Sequence, residues 1–224
     1  MNQNTLLETI ERQTSDTPTA TVIWMHGLGA DGSDFVPIVD ELRLPKSAAI
    51  RFIFPHAPMQ PVTINNGYVM RAWYDIAFDG VDRKPDAAGI RASRLAIETL
   101  IAREKSRGIP ANRIVLAGFS QGGAITLQTG LRHDEALAGL MVLSSYLPLV
   151  ETVEAEASTA NRATPILMVH GRYDPMIALS RATASRDALV RLGYPVQWLD
   201  YPMEHSVCAE EIAEISRWLQ TVLA

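Results

Sequence analysis

Six short apolar runs, separated by stretches of helical spacing, constrain this chain more than any other feature of it. They lie near residues 21–25, 50–54, 114–118, 140–143, 166–170 and 196–201, and most are apolar at successive positions. Unbroken apolar runs are what strands covered on both faces require, whereas a solvent-facing antiparallel strand would alternate. The segments between them predict helices near 34–42, 86–107, 122–131, 180–192 and 209–223. In the last, Ile212, Ile215, Leu219, Val222 and Leu223 form one stripe. Gly108-Ile109-Pro110 and Gly193-Tyr194-Pro195 stop helices just before strands. Alternating strands and helices predict an α/β fold, with a central, mostly parallel sheet and helices on both of its faces.

The chain has 224 residues, of which 47% are hydrophobic and 20% charged. That balance excludes a disordered or collagen-like polymer and allows one domain over residues 1–224, with 1–18 as an N-terminal tail or helix before the core. Twenty basic against 25 acidic side chains leave a net charge of -5, which argues against a nucleic-acid partner. Cys208 is the only cysteine, so no internal disulfide or cysteine-based metal cluster can form. The first twenty residues hold no signal-like apolar stretch, and no run is long enough for an integral membrane segment. A cytoplasmic protein is the expectation. Two segments resist the alternating scheme. Residues 55–82, with Met59, Tyr68, Met70, Trp73 and Tyr74, predict a substrate-facing wall, and 148–165, rich in Glu, Ala and Thr, predict a solvated excursion.

The chemistry centres on Gly118-Phe119-Ser120-Gln121-Gly122, placed directly after one apolar strand and before a helix. A Gly-x-Ser-x-Gly sequence in that position reads as a nucleophile elbow, a strained strand-to-helix turn whose flanks have no room for side chains. A serine hydroxyl is a weak nucleophile at neutral pH. It needs a base within hydrogen-bond reach and a carboxylate to orient that base. In this architecture the chain order is Ser, acid, His, and of the five histidines only His170 and His205 follow Ser120 after a further strand. His170 ends a strand and reads as packing beside the acid-bearing loop. His205, in the loop between the last strand and the last helix, reads as the base. For the acid, Asp174 in Gly171-Arg172-Tyr173-Asp174-Pro175 leads, with Asp200 and Glu204 as competitors.

A tetrahedral intermediate also needs N–H donors for its oxyanion, one from the residue after the nucleophile and one from the loop after an earlier strand. Gln121 and Leu28, the latter in His26-Gly27-Leu28-Gly29, occupy those places. The same loop, Gly27-Leu28-Gly29-Ala30-Asp31-Gly32, matches the pattern of a dinucleotide-binding turn. That reading wants an acidic residue at the end of the next strand, where the chain has Arg51-Phe52-Ile53-Phe54-Pro55-His56; Arg51 is the residue that would hold a 2′-phosphate instead. No histidine pair has the helical spacing of a zinc site, and Cys208 is assigned no role.

Taken together, His26-Gly27-Leu28-Gly29-Ala30-Asp31-Gly32, Phe54-Pro55-His56-Ala57-Pro58, Arg71-Ala72-Trp73-Tyr74-Asp75, Gly118-Phe119-Ser120-Gln121-Gly122-Gly123 and Gly171-Arg172-Tyr173-Asp174-Pro175 resemble the acyl-protein thioesterase and bacterial carboxylesterase family of α/β-hydrolases. The likeness runs from about Thr19 to the C-terminus. It implies an α/β-hydrolase without a large cap domain, with Ser120, Asp174 and His205 as the triad and Leu28 and Gln121 as oxyanion donors. It implies a serine hydrolase for carboxylic ester or thioester bonds, with no cofactor and no metal, acting on small acyl substrates, lipids or acylated proteins, and forming a homodimer in some members. The segment around Trp73 resembles the family's acyl-side loop, and Trp73 and Met176 are the candidate substrate-contact residues.

Overall fold

The structure is a computed structural model that describes residues 6–79 and 82–224. Its centre is a seven-stranded sheet in the order β1-β3-β2-β8-β9-β10-β11. The strands are β1 (Thr9–Gln13), β2 (Ala20–Met25), β3 (Ile50–Pro55), β8 (Ile114–Phe119), β9 (Gly139–Leu143), β10 (Ile166–Gly171) and β11 (Val196–Tyr201). All neighbours pair in parallel except β1, which runs antiparallel to β3 along one edge.

Within one strand the buried residues divide between two cores, as a sheet covered on both sides demands. Ile23 and Met25 of β2 join Leu116, Val142 and Met168 in one core. Helices α2 (Ala87–Ser106), α3 (Gln121–Gly130) and α5 (Leu179–Arg191) cover that face through Ile97, Leu127 and Leu189. Val22 and Trp24 join Phe52, Ala117 and Leu167 in the other, under α1 (Ile38–Glu41) and α6 (Ala209–Val222). Of the expected stripe, Ile215, Leu219 and Leu223 are buried, with Trp218 buried beside them. Among the described residues no helix is long and apolar enough to cross a membrane.

Four expectations are corrected. Residues 9–13 are neither tail nor helix: they form the edge strand β1, because alternate backbone groups of β3 would otherwise lack partners. The helix expected at 34–42 shortens to α1, with the chain before it tightened into three-residue turns around Pro37. The long segment from 55 onward holds two antiparallel strand pairs, β4 (Met59–Val62) with β5 (Tyr68–Arg71), and β6 (Ile76–Asp79) with β7 (Asp82–Pro85), the last running past the expected end at 82. Residues 150–156 form the helix α4 (Val150–Glu156), so the excursion is solvated as expected but is helical. It buries Val153, and its last residue is held by Arg132 Nε at 2.7 Å. That hydrogen bond, reinforced by Arg91 and Thr152, keeps the Glu156 carboxyl down at about 2.

Candidate active site

The Leu28 turn and the three triad candidates lie just past the carboxyl ends of parallel strands, the rim where open α/β sheets bind their ligands. Leu28 follows β2, Ser120 follows β8, Asp174 follows β10 and His205 follows β11.

Ser120 holds a backbone conformation that side chains other than glycine rarely adopt, φ 55° with ψ -119°. Its N–H is tied to the Leu143 carbonyl at 2.9 Å, and its own carbonyl accepts the Ser145 hydroxyl at 2.6 Å. The turn leaves no room for a Cβ two residues before or after the serine. At Gly118 a Cβ would run into the backbone of Gly122, and at Gly122 into the carbonyl oxygen of Met25. The flanking glycines are therefore set by the approach of β8, α3 and β2 to one another.

The loops after β10 and β11 run side by side, with the Arg172 and Tyr173 N–H groups bonded to the Tyr201 and Met203 carbonyls at 2.8 and 3.1 Å. A side chain at Gly171 would strike the Glu204 backbone, so glycine there lets the second loop cross over the first. That crossing brings His205 Nδ1 within 2.6 Å of Asp174 Oδ2. The other oxygen, Oδ1, accepts the Met176 and Ile177 N–H groups, both at 2.8 Å. The carboxylate is wholly buried, and with three donors on it its direction is fixed. Phe119 packs against the imidazole, the ring centres 4.7 Å apart.

Asp200 and Glu204 are placed elsewhere. Asp200 pairs with Arg172 and accepts the Trp198 indole N–H at 3.0 Å; that arginine holds its carboxyl below the usual range. Glu204 is exposed. His170 gives Nε2–H to the Ile177 carbonyl at 2.8 Å and packs beside the Asp174 loop. Arg51, the residue a dinucleotide phosphate would have needed, is buried and paired with Glu104 at 2.6 Å.

Ser120 and His205 line a single cavity of about 350 Å³ together with Leu28, Gln121 and Met176. Leu28 and Gln121 have backbone N–H groups without a protein acceptor among the described residues. The turn carrying Leu28 is braced by His26, whose Nε2 accepts the Ala57 N–H at 3.0 Å and whose Nδ1 faces the Gly27 carbonyl at 2.7 Å. Burial lowers the His26 pKa to about 4, so the ring is neutral at pH 7 and can accept at Nε2 while donating at Nδ1.

Trp73 is corrected. It is only 1% exposed and does not reach the cavity; its indole N–H donates to the His26 carbonyl at 2.8 Å, so it supports the Leu28 turn from beneath. The wall of the cavity is made by its neighbours. Tyr74, Ile64 and Met70 line it from the segment 55–82, and Tyr146 lines it from the loop after β9. Tyr146 was missed in the sequence, although its place just past a parallel strand next to β8 is the signal that would have found it.

Residues 8–223 match the phospholipase/carboxylesterase family. The chain is 44% identical over 211 residues to acyl-protein thioesterase 1 of Neurospora crassa, covering 90% of this chain and 86% of that one. It is 41% identical over 214 residues to acyl-protein thioesterase 1 of Gibberella zeae, covering 92% and 91%. Its structure superposes on that of Arabidopsis thaliana SOBER1 with a TM-score of 0.85 at 30% identity, over 92% of this chain and 99% of the other. A likeness of this extent, on a fold with an elbow serine at the sheet rim, means that the chain belongs to the phospholipase/carboxylesterase family of α/β-hydrolases.

Proposed function

We propose that this hydrolase cleaves carboxylic ester and thioester bonds of acyl substrates through a covalent intermediate on Ser120. The observation that carries this reading is the hydrogen bond from His205 Nδ1 to the buried Asp174, on an imidazole that shares one cavity with a strained serine. Nδ1–H donates to the carboxylate, which leaves Nε2 with a lone pair to act as base. Ser120 Oγ attacks the acyl carbon while its proton passes to Nε2. The Leu28 and Gln121 N–H groups donate to the resulting oxyanion. His205 then returns the proton to the departing alcohol or thiol. Water repeats the sequence on the acyl-serine: His205 takes its proton, the acid leaves, and Ser120 regains its hydrogen.

The thioester half of the proposal, and acylated proteins as substrates, are supported by the acyl-protein thioesterases that the chain resembles, and lipid substrates by the phospholipase/carboxylesterase family it matches. A cytoplasmic setting agrees with the lone, unpaired Cys208. Turnover of p-nitrophenyl butanoate and of an S-acyl thioester by the wild type and Ser120→Ala tests the mechanism. The variant should fold as before and lose kcat/KM by about 10³-fold or more on both substrates. Wild-type rates in Ser120→Ala would remove the serine from the reaction.

A further inference from the structure

Behind the cavity at Ser120 lies a second, of about 190 Å³, lined by Ile90, Leu147 and Leu149 among others. The two share Tyr74, Ile76 and Tyr146, which are therefore the wall between them. Across that wall the two tyrosine hydroxyls meet at 2.8 Å. Arg181 lines only the far cavity and sets its guanidinium 3.7 Å from the centre of the Tyr146 ring, pinning the ring from behind. Tyr74 is held as firmly, since its carbonyl accepts Gln121 Nε2–H at 2.9 Å. Both rings are buried, at 2% and 6% exposure.

The two arms of an ester do not have equal claims on this side of the cavity. The leaving group must reach solvent after the first step, whereas the acyl group stays on the serine until water releases it. Ile64 and Met176 are 40% and 64% exposed and mark the open side. The tyrosine wall marks the enclosed side, which suits the acyl group. A hydrocarbon tip pressing between the hydroxyls would break the hydrogen bond that joins them and gain no polar contact in return.

Resting on the ester-hydrolase reading above, we infer that Tyr146, clamped between Tyr74 and Arg181, ends the acyl groove and confines this hydrolase to short acyl chains. The far cavity, apolar along Ile90, Leu147 and Leu149 and charged along Asp75, Asp86, Glu151 and Arg181, is the space into which longer chains would run if the wall were absent.

The test is a series of p-nitrophenyl esters from acetyl to dodecanoyl, set beside acetate esters of alcohols of increasing length. In the wild type kcat/KM falls about tenfold or more between butanoyl and dodecanoyl. In Tyr146→Ala the dodecanoyl-to-butanoyl ratio rises about tenfold or more, because several methylenes gain a pocket. In Tyr146→Phe, which keeps the ring and loses one hydrogen bond, the ratio rises about threefold. If Tyr146→Ala does not melt cooperatively, Tyr146→Val is read in its place. A ratio unchanged in the truncated variant, a wild type that takes dodecanoyl as readily as butanoyl, or a change confined to the alcohol series overturns the wall. A wild type that hydrolyses no ester and takes no fluorophosphonate overturns the hydrolase mechanism instead.

Discussion

Gln121 clasps the segment of Trp73: its side-chain carbonyl accepts the Trp73 N–H at 3.0 Å, while its amide donates to the next carbonyl, that of Tyr74, at 2.9 Å. The residue that follows Ser120 thus serves in two separate ways. Its backbone N–H is left without a protein acceptor among the described residues, and its buried side chain fixes the segment that carries the cavity wall.

Gln121→Ala separates those tasks. The backbone donor stays, but a buried N–H and a buried carbonyl lose their partners, at a cost of about 3 kcal/mol in stability. Loosening of the wall should lower kcat/KM for butanoyl esters about tenfold or more. Urea unfolding and steady-state kinetics on the same preparation check both values. A variant as stable and as active as the wild type would show that the clasp has no energetic role.

The strain at Ser120 makes a second prediction. A residue at φ 55° and ψ -119° costs the fold something unless it is glycine. Ser120→Gly should therefore be inactive and yet about 1 kcal/mol more stable than the wild type. Loss of stability in this variant would mean that the turn stores no strain.

Glu211 links stability to pH. It sits wholly buried in the first turn of α6, and burial raises its pKa from 4.5 to about 8. An acid whose folded value lies above its unfolded one favours the folded state while it is protonated. That contribution is complete below about 4.5 and is lost as pH rises through about 8. Glu211→Gln has no such proton to lose, so its stability relative to the wild type should improve by roughly 3 kcal/mol between pH 5 and pH 8. Parallel wild-type and variant curves across that range would contradict a buried, protonated Glu211.

Much of this was legible before any coordinates. Unbroken apolar runs announced the buried parallel strands, since only a sheet covered on both faces tolerates residues such as Val22, Ile23, Trp24 and Met25 in succession. Ser120, Asp174 and His205 stood out because each follows such a strand. Edge strand β1 was hidden, because Thr9-Ile10-Glu11-Arg12-Gln13 has a single large apolar residue, Ile10, and carries charge on both faces. The strand pairs from 55 onward were hidden by their prolines, and Pro61 is tolerated because β4 pairs on one side alone. Trp73 was misjudged because a large aromatic in a long loop looks like a surface for ligands. Its indole in fact satisfies a buried carbonyl, a pairing no local pattern announces.

The central claim is tested most directly by treating the native protein with an alkyl fluorophosphonate and locating the adduct by peptide mass spectrometry. One phosphonyl group per chain on Ser120, with esterase activity lost in step and labelling slowed about 10²-fold or more in His205→Ala, is the outcome the account predicts. Full loss of activity with the label on another residue, or an active esterase whose Ser120 stays unmodified, would contradict it.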